Sequence, residues 1–565
     1  MDERKILYIS QKYNYSNFLS KLIASLDIHE EDIDGFLNPD ITNDIPNPFN
    51  LKDMDKTISR TIQAIKKNEK IGILGDYDVD GSTSSAILFN FFQSFNINVS
   101  IKVPNKLTEG YGPNERIMDE FLKEKVSIVY TVDCGTTSFS TLNNTKYSVI
   151  DIITIDHHIS ETKFPNIYSL INPNRYDENS EFQNLAAVGV TFLFLMALRK
   201  TLREQNFFKF IKEPNLLFFL DFVALGTVCD VVPLKKINRT FVFKGLEIIR
   251  SRKSKAIATI LDNSNLKSVP KADDLGYIIG PQINAASRIG DSTLPTKILV
   301  SKDINEIDKI SRKLILLNEK RKLIENQIYN QALNQIKNTN SLKFILIYGN
   351  NWHSGVLGIV ASRLLKQYYK PTIVISFHNN IGVGSARSIE TVNLGNIILE
   401  AKNEGLLISG GGHSKAAGFK IEKEKLNSFN LYLDNALKNY DEEVFEKKVF
   451  YTDKLSLNQI QSSLLDDLQQ LEPFGNGNEE PNFIFTDIKI ESVKKIKEKH
   501  NLVFFKNDFD KIIKGICFNS VNTIMGDYLE KYRQFNFEIA GVLKEDNYKD
   551  NSLPQIIIKD LMLLN

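Results

Sequence analysis

The chain has 565 residues, of which 42% are hydrophobic, enough for several domains that each bury a core. Its 70 basic residues nearly balance its 69 acidic ones, which excludes binding of a polyanion through overall charge and leaves only a local basic groove. Three widely separated cysteines argue against a disulfide scaffold, and no segment has the roughly twenty apolar residues of a membrane helix. We therefore expect a cytoplasmic protein that does not contact membranes.

Residues 1–69 form a lead-in, in which short helical patterns are interrupted by Pro and Asn, as in NPDITNDIPNPF. From residue 70, β-branched runs alternate with helical patterns in KIGILG, SSAILFNFFQSF, NVSIKVP, NERIMDEFLKEK, VSIVYTVDCG, SVIDIITIDHH and YSLINP. This alternation predicts a parallel sheet with helices on both faces, and helices follow over 183–262. We assign residues 70–302 to this domain.

A run without Gly or Pro from Ile304 to Asn338 predicts a connector helix over 303–340, roughly 50 Å long. The α/β pattern then restarts over 341–442, with KFILIYG, GVLGIVASRLLKQY, PTIVISF, IGVGSARS and ISGGGHSKAAGFKI. Over 443–565, β-rich runs separated by turns predict a small antiparallel β-barrel, for which the five-stranded oligonucleotide-binding (OB) fold is one form. The expected fold class is α/β: two α/β domains joined by a long helix, plus a C-terminal OB-like barrel.

The first predicted strand ends in a turn, GDYDVDG, that carries Asp76, Asp78 and Asp80 at alternate positions. Alternate residues of an extended strand end point the same way, so the three carboxylates would repel one another unless a cation lies among them. A polar surface turn is the plain alternative, because Asp and Gly are common in turns. A helix-loop-helix calcium site is excluded, because Ile87 stands where that loop needs a glutamate.

More acidic and histidine side chains follow other strands of the predicted sheet. Asp133 lies in TVDCG, Asp156, His157 and His158 lie in IDHH, and Asp230 lies in GTVCDVVP. The carboxyl ends of parallel strands meet at one edge, so we expect these groups to converge in space. Carboxylates and imidazoles without paired thiolates suit manganese, magnesium or iron better than structural zinc, and neither CxxC nor HExxH occurs.

In this order, GDYDVDG, VDCG, IDHH and VCDVVP resemble the motifs of the DHH phosphoesterase superfamily. The later segments GPQINAASRIG, WHSGVLGIVASRLL, GVGSARS and GGGHSKAAGF resemble those of its RecJ branch, so the likeness runs from about residue 70 onward. The resemblance implies a DHH catalytic domain, a DHHA1-type substrate-binding domain and an OB-type nucleic-acid-binding domain. It also implies a single-stranded-DNA-specific 5′-to-3′ exonuclease of recombination and repair, which uses two divalent cations, Mn²⁺ or Mg²⁺, and releases 5′-mononucleotides.

Carried over by motif, the resemblance implies a metal shell of Asp78, Asp80, Asp133, His157, His158 and Asp230. Asp133 would bridge the two ions, and the catalytic group would comprise Asp133, Asp156, His157 and His158. Asp156 would orient one of the histidines without binding a metal ion itself. His158 would either bind metal or contact the scissile phosphate. Membership of Asp76 is left open. Two close cations lower the pKa of a shared water and neutralise charge on the phosphate.

Candidate substrate-binding residues lie in the later motifs: Arg288, His353, Arg363, Ser385, Arg387, Gly410, Gly411, Gly412 and His413. The glycines would offer backbone amides to an anion, unless they form a plain glycine-rich turn. Arg363 also fits a solvated helix face, and His353 a packed side chain. Lysines beside aromatic residues in SVKKIKEKHNLVFF suit either a single-strand groove or a solvated face.

Two positions depart from the pattern of the branch, because Gln282 stands where an arginine is expected and Ser287 where a glycine is expected. We expect them to weaken phosphate contact locally and to leave the metal set intact. One alternative function is a small-substrate DHH phosphoesterase for short oligonucleotides or pyrophosphate, but Leu74 replaces the histidine that often opens its first motif. The other is an inactive DNA-binding scaffold, which the full set of acidic and histidine positions argues against.

The partners implied by the resemblance are single-stranded DNA, single-strand-binding protein and a helicase. We expect the chain to act as a monomer.

Overall fold

The computed structural model describes residues 3–26, 28–336, 343–507, 511–532, 537–546 and 553–564. Within these ranges the strands form three separate sheets, each covered by helices. Among the described helices, none combines the length and the apolar character that a membrane crossing requires.

The helices before the first strand are α1 (Glu3–Tyr13), α2 (Asn17–Ser25), α3 (Ile33–Leu37), α4 (Ile41–Asp44) and α5 (Met54–Lys66). Helix α5 packs on the first sheet through Ile58 and Ile62. Helices α1 to α3 instead share a core with the C-terminal sheet, to which they contribute Ile9, Leu19 and Ile33. The short helical patterns of the lead-in are therefore real helices, but nothing in their local pattern indicated so distant a packing partner.

The first α/β domain has the predicted alternation: β1 (Ile71–Gly75), α6 (Val79–Gln93), β2 (Val99–Lys102), α7 (Glu115–Lys123), β3 (Ile128–Val132), α8 (Phe139–Leu142), β4 (Asp151–Ile155) and β5 (Ser169–Ile171). The strands are parallel and lie in the order β2-β1-β3-β4-β5. Strands β1 and β3 are buried along their whole length, because helices cover both faces of the sheet. Their carboxyl ends lie in register, since Gly75 pairs with Val132 and Val132 pairs with Ile155.

A helical layer completes this domain. The predicted helical span contains α9 (Ala187–Glu204), α10 (Leu220–Cys229), α11 (Lys236–Arg250) and α12 (Lys255–Asn263). Beyond that span lie α13 (Ala272–Asp274), a π-helical turn (Leu275–Ile279), α14 (Gly280–Ile289) and α15 (Leu294–Val300). Helix α10 is buried from Leu220 to Thr227. It contacts α11 closely at Gly245, where an added Cβ would lie 2.2 Å from the carbonyl oxygen of Leu220. This packing fixes the direction in which the end of α10 points.

Asp221 on α10 is a buried carboxyl group that follows none of the strands. It accepts a hydrogen bond from the backbone N–H of Phe222 at 2.7 Å, and burial raises its pKa from 3.8 to about 7. A carboxyl pKa that is higher in the folded state means that stability falls as pH rises between these two values. We expect Asp221→Asn to gain roughly 2 to 3 kcal/mol of unfolding free energy relative to the parent between about pH 5 and about pH 8.

Denaturant unfolding of both proteins at the two pH values measures this gain. The parent should lose stability across the interval, and the variant, which has no proton to release at this position, should lose less. The same pH dependence in both proteins would show that Asp221 does not titrate in this range.

The connector helix α16 spans Ile304–Ile336, which is 33 residues, and the predicted residues 337–340 lie outside the described ranges. Its first half contributes Ile307 and Leu314 to the core of the first domain. Its second half contributes Ile328 and Ala332 to a core with the second domain. The helix is thus an integral part of both domains.

The second α/β domain contains β6 (Ile345–Asn350), α17 (Ser354–Tyr368), β7 (Thr372–His378), β8 (Ile381–Arg387), α18 (Leu394–Asn403), β9 (Ser409–His413), β10 (Ala416–Glu422) and α19 (Leu426–Leu437). Its strands lie in the order β6-β7-β8-β10-β9. The glycine cluster forms strand β9 at the edge of this sheet rather than the plain glycine-rich turn that was the alternative. Glycine suits this strand because α18 packs against it: a Cβ on Gly410 would lie 2.9 Å from Ile398.

The C-terminal domain contains β11 (Asp453–Ser456), α20 (Ser462–Gln469), β12 (Phe483–Thr486), β13 (Lys489–Ile496), β14 (His500–Lys506), β15 (Ile512–Cys517), α21 (Ile524–Glu530), β16 (Phe537–Asp546) and β17 (Leu553–Leu563). In the described residues these strands form one mixed sheet of seven, in the order β11-β12-β16-β17-β15-β14-β13. We expected an antiparallel barrel, but β11 and β12 are parallel, because the chain crosses back through α20 between them.

Candidate metal centre and phosphate contacts

The predicted acidic and histidine side chains converge at the carboxyl edge of the first sheet. Asp76, Asp133 and Asp156 directly follow β1, β3 and β4, whose last residues are in register. Asp230 arrives from the C-terminal end of α10. Within the described chain, three groups have ligand atoms that all lie within 4.8 Å of one another: Asp133, His157 and His158; Asp80, His157 and Asp230; Asp76, Asp78 and Asp133.

His157 and Asp133 connect these groups. Nε2 of His157 lies 3.3 Å from Oδ1 of Asp133, 3.7 Å from Oδ2 of Asp230 and 3.9 Å from Oδ2 of Asp80. Asp133 has a left-handed backbone, with φ 59°, a conformation that Asp adopts more readily than most residues. Because each of the two residues belongs to two groups, the arrangement offers neighbouring ligand sets rather than one isolated site.

Asp80 is held by the backbone of another helix. Its Oδ2 accepts a hydrogen bond from the N–H of Ala187 at 2.7 Å, and its Oδ1 accepts one from Val188 at 2.8 Å, both at the N-terminus of α9. That helix end favours negative charge. Gly226 of α10 allows this helix to pack closely against α6, because a Cβ there would lie 2.5 Å from Oγ1 of Thr83. The carboxylate therefore has a fixed orientation within a tightly packed environment.

Asp76 and Asp78 occupy the turn between β1 and α6. Asp78 caps the helix by accepting a hydrogen bond from the N–H of Gly81 at 3.0 Å. Gly81 must lack a side chain, because a Cβ would lie 2.5 Å from the carbonyl oxygen of Asp76. Among the described residues, no group donates a hydrogen bond to the buried Oδ1 of Asp76. A buried carboxylate oxygen without a donor, beside two other carboxylates, is well suited to a cation.

Burial and mutual repulsion raise the pKa of four of these carboxyl groups. Burial and then the charge of Asp230 raise the pKa of Asp80 to about 7, and burial and then Asp78 raise that of Asp230 to about 7. The pKa values of Asp76 and Asp133 are also raised well above the ordinary value, by burial first and Asp78 second. A divalent cation would offset this repulsion, so the residues present fit the expected metals.

Asp156 differs from its neighbours because it binds histidine and backbone N–H groups. Its Oδ1 lies 2.7 Å from Nδ1 of His158 and accepts a hydrogen bond from the N–H of His157 at 2.8 Å. Its Oδ2 accepts one from the N–H of Thr136 at 3.1 Å. Burial opposes ionisation, but these donors lower the pKa of Asp156, and the same contact raises the pKa of His158 to about 9 against the effect of burial. The geometry places Asp156 behind His158.

Three polar residues of the site were not predicted from the sequence. Tyr111 donates from its hydroxyl to the carbonyl oxygen of Asp133 at 2.7 Å. Asn172 and Asn174 donate from Nδ2 to the carbonyl oxygens of His158 and His157, at 2.8 and 2.6 Å. Asn172 directly follows β5, so extending the strand-end argument to every strand would have identified it.

A half-buried basic cluster, formed by Lys106, Arg288 and Arg387, lies beside Asp76 and Asp78. Burial and then Arg288 lower the pKa of Lys106 to about 8, and burial, Arg321 and Arg387 lower that of Arg288. Arg288 donates to the carbonyl oxygen of Gly355 at 3.1 Å, and Arg387 to that of Ala386 at 2.8 Å. These neighbouring cations come from both α/β domains, an arrangement that suits the phosphates of a bound strand.

Two predicted ligands make other contacts. The guanidinium of Arg363 lies 3.7 Å from the ring centroid of Tyr329 and donates to Oδ1 of Asn326 at 2.7 Å, so it packs α17 against α16. His353 caps α17, because its Nδ1 accepts a hydrogen bond from the N–H of Gly355 at 3.2 Å. Ser385 accepts a hydrogen bond from Arg387 at 3.4 Å, and the segment from Gly410 to His413 lies in strand β9.

The two residues that depart from the family pattern, Gln282 and Ser287, occupy buried positions of α14. Gln282 is 6% exposed and donates to Oγ of Ser264 at 2.8 Å. Ser287 is 2% exposed and donates to the carbonyl oxygen of Asn284 at 3.1 Å. Both side chains therefore bond within the fold, and an effect on phosphate contact at these positions would have to be indirect.

The basic, aromatic segment of the C-terminal domain forms strands β13 and β14. Lys494 lies 5.6 Å from the ring centroid of Phe504, which combines a cation with a stacking surface. Lys495 pairs with Glu530 at 3.0 Å. Strand β13 is at the edge of the seven-stranded sheet, so Lys494 and the ring of Phe504 lie close to that edge.

Comparison with known proteins gives matches along most of the chain. Residues 70–227 match the model of the DHH family, N-terminal domain; residues 328–439 match the DHHA1 domain; residues 452–560 match the RecJ OB domain. The single-stranded-DNA-specific exonuclease RecJ of Haemophilus influenzae is 31% identical over 452 residues, covering 77% of this chain and 78% of the relative. The protein of the same name from Escherichia coli is 29% identical over 526 residues, covering 90% of each chain.

Two solved structures resemble this chain in fold. The crystal structure of RecJ from Thermus thermophilus in complex with Mn²⁺ has a TM-score of 0.81 at 24% identity, and the match covers 100% of this chain and 78% of that one. An exonuclease RecJ bound to manganese has a TM-score of 0.60 at 28% identity, covering 72% of this chain and 98% of the other.

Proposed function

The chain belongs to the RecJ family of single-stranded-DNA-specific exonucleases, and on that premise we propose that it degrades single-stranded DNA from the 5′ end with two divalent metal ions. The products would be 5′-mononucleotides. The observation that carries the proposal is the set of neighbouring ligand groups that share His157 and Asp133, beside the half-buried basic cluster.

Asp80, His157 and Asp230 would hold one ion, and Asp76, Asp78 and Asp133 would hold the other. Oδ1 of Asp133 also lies 3.3 Å from Nε2 of His157, which supports the bridging role that the family resemblance gives to this carboxylate. The buried Oδ1 of Asp76, without a donor among the described residues, supports adding this residue to the set. When bound, Mn²⁺ or Mg²⁺ at such paired positions supplies a water of lowered pKa and neutralises charge on the scissile phosphate.

The protein's own residues orient the reacting groups. Asp156 engages Nδ1 of His158, so we assign His158 to contact with the scissile phosphate through its other nitrogen rather than to the metals. Asn172 and Asn174 fix the backbone of both histidines. Lys106, Arg288 and Arg387 would hold the phosphates next to the reacting one.

The domain division supports a polymeric substrate. We propose a lead-in over 1–69, a DHH catalytic domain over 70–302, a connector over 303–340, a DHHA1-type domain over 341–442 and an OB-type domain over 443–565. The match of residues 452–560 to the RecJ OB domain favours a strand-binding enzyme over a small-substrate phosphoesterase. The convergence of the predicted ligands in space argues against an inactive scaffold.

We extend the proposal to the cellular setting that family membership supports. The enzyme would act as a monomer in the cytoplasm, beside single-strand-binding protein and a helicase, in DNA recombination and repair. Mn²⁺ and Mg²⁺ are both candidates for its cofactor, because solved RecJ structures contain one or the other.

A 3′-end-labelled single strand, incubated with the protein and Mn²⁺ beside the same sequence as a duplex, tests the function. We expect progressive shortening of the single strand only, with the label retained in ever shorter fragments until the end. Immediate release of the label would contradict the 5′-to-3′ direction. An intact strand, or cleavage restricted to very short oligonucleotides or pyrophosphate, would support one of the alternative functions.

Metal affinity should depend on pH. Because the pKa values of Asp80 and Asp230 lie at about 7 without metal, an ion that binds below this pH must displace protons. We expect the affinity of the Asp80, His157 and Asp230 set for Mn²⁺ to rise by about 10- to 100-fold between about pH 6 and about pH 8. Titration calorimetry in buffers of different ionisation enthalpy measures both the affinity and the protons released. A pH-independent affinity would mean that these carboxyl groups are already ionised.

A further inference from the structure

The C-terminal domain contacts the chain directly after Asp230. The contact is made by residues 471–478, LEPFGNGN, which we call the docking loop. Nδ2 of Asn476 donates a hydrogen bond to the carbonyl oxygen of Val231 at 2.6 Å. In return, the N–H of Leu234 donates to the carbonyl oxygen of Asn476 at 2.6 Å. The segment between Asp230 and α11 is thus bonded at both ends by one residue of another domain.

The backbone at Val231 explains why such support is needed. Val231 has φ 61°, in the left-handed region, and its side chain is 64% exposed. A β-branched residue rarely adopts this conformation, and here no burial of the side chain compensates for it. The hydrogen bond from Asn476 to the carbonyl oxygen of Val231 holds the conformation. If Val231 relaxed to negative φ, the end of α10 that carries Asp230 would have to move relative to α11.

The docking loop fits closely against this segment. A Cβ on Gly475 would lie 2.7 Å from Cδ1 of Leu234, and one on Gly477 would lie 3.0 Å from Cβ of Pro233. Gly477 also has a left-handed backbone, with φ 74°. Glycine at both positions therefore allows this close approach, and at Gly477 it also suits the left-handed backbone.

Arg239 of α11 anchors the first half of the docking loop. This side chain, 1% exposed, donates hydrogen bonds to the carbonyl oxygens of Leu471 at 3.1 Å, Glu472 at 2.7 Å and Pro473 at 3.4 Å. Its Nε donates to the carbonyl oxygen of Phe36 at 2.7 Å. The loop is fixed to the catalytic domain independently of Asn476, so a change at Asn476 tests its side-chain contact alone.

We propose that Asn476 is a positioning residue for Asp230, through which the C-terminal domain completes the scaffold of the metal centre. The proposal rests on the function given above, in which Asp230 binds one of the two ions. Asp230 caps the end of α10, and its Oδ2 lies 3.7 Å from Nε2 of His157. Because metal affinity depends on the placement of each ligand, loss of the contact behind Asp230 lowers the affinity of that site.

The experiment compares Asn476→Ala with Asn482→Ala in the full-length protein. Asn482 is a matched control within the same domain: its Nδ2 donates to the carbonyl oxygen of Phe450 at 2.8 Å, and its own carbonyl oxygen accepts the N–H of Thr452 at 2.6 Å. Both substitutions remove the same kind of hydrogen bond. Asn476→Asp is the second variant, because it keeps the side-chain shape and removes the donor.

Mn²⁺ binding without DNA is measured by calorimetry, and kcat, KM for single-stranded DNA and Tm are measured in parallel. We expect Asn476→Ala and Asn476→Asp to weaken one of two Mn²⁺ ions by about tenfold or more and to lower kcat, with KM unchanged. Their Tm should match that of Asn482→Ala. The control Asn482→Ala should bind Mn²⁺ with the affinity of the parent. Mn²⁺ affinity and kcat equal to those of Asn482→Ala in both variants would overturn the proposal.

The parent protein separates failure of this inference from failure of the proposed function. A parent that binds no Mn²⁺ refutes the proposed function, and the role of Asn476 with it. A parent that binds two ions and cleaves DNA, while the Asn476 variants match Asn482→Ala, refutes the positioning role alone.

Discussion

Asp133→Asn is expected to lower the rate of single-strand cleavage by roughly 1,000-fold or more. Oδ1 of Asp133 lies 3.3 Å from Nε2 of His157, and its carboxylate belongs to two of the ligand groups. An amide of the same shape cannot supply a negatively charged oxygen to both ions. The variant should therefore bind fewer Mn²⁺ ions than the parent, as counted by calorimetry, and leave a 3′-labelled single strand uncut.

The same substitution should stabilise the metal-free protein. Asp133 is 3% exposed, and burial and then Asp78 raise its pKa well above the ordinary value. Folding at neutral pH therefore costs free energy, either to bury this carboxylate or to protonate it, and asparagine avoids that cost. Asp221→Asn is the control, because Asp221 is equally buried, at 2% exposed, and lies outside the ligand groups. It should retain parental activity. Cleavage by Asp133→Asn at the parental rate would remove the proposed bridging role.

Arg387→Gln is expected to raise KM for single-stranded DNA by roughly 10- to 100-fold while Mn²⁺ affinity stays at the parental value. Arg387 lies next to Arg288 and Lys106, and its hydrogen bonds go to a hydroxyl and a carbonyl oxygen, so its charge remains available for a phosphate. Removing one cation from the cluster should also reduce the dependence of DNA affinity on salt concentration.

Arg363→Gln provides the comparison for Arg387→Gln within the same domain. Because Arg363 contacts Tyr329 and Asn326 of α16, its loss should change KM by no more than about twofold, within the range typical of an exposed charge. Binding is measured by fluorescence anisotropy at several salt concentrations. A larger effect for Arg363→Gln than for Arg387→Gln would restore Arg363 as the phosphate ligand and exclude the basic cluster.

The convergence of the acidic residues could be predicted because it follows from local rules. Alternating strand and helix patterns identify a parallel sheet, and residues that directly follow its strands must lie at one edge. This argument located Asp76, Asp133 and Asp156, and the registers of β1, β3 and β4 confirm it. The overall α/β organisation followed from the same alternation of patterns, and the long helix α16 from a run without Gly or Pro.

Contacts between elements distant in sequence could not be predicted in this way. Lys106 and Asn476 approach the site from loops whose local sequence contains no signal of their partners. Arg363 was placed near phosphate because its neighbours resemble a family motif, yet the face of α17 on which it lies packs against α16. The glycines at 410–412 fit both a turn and a strand, and only the packing of α18 decides between them.

The joint core of α1 to α3 and the C-terminal sheet has a consequence for the order of events during protein synthesis. Oγ of Ser16 donates to Oδ2 of Asp467 at 2.7 Å across a separation of 451 residues. At about 5 to 20 residues per second, translation of that separation takes roughly 20 to 90 s. Throughout this interval Ile9, Leu19 and Ile23 have no strands to cover them, so the nascent chain presents an apolar helical surface to chaperones. A polypeptide that terminates before the last domain would lack the strands that cover this surface.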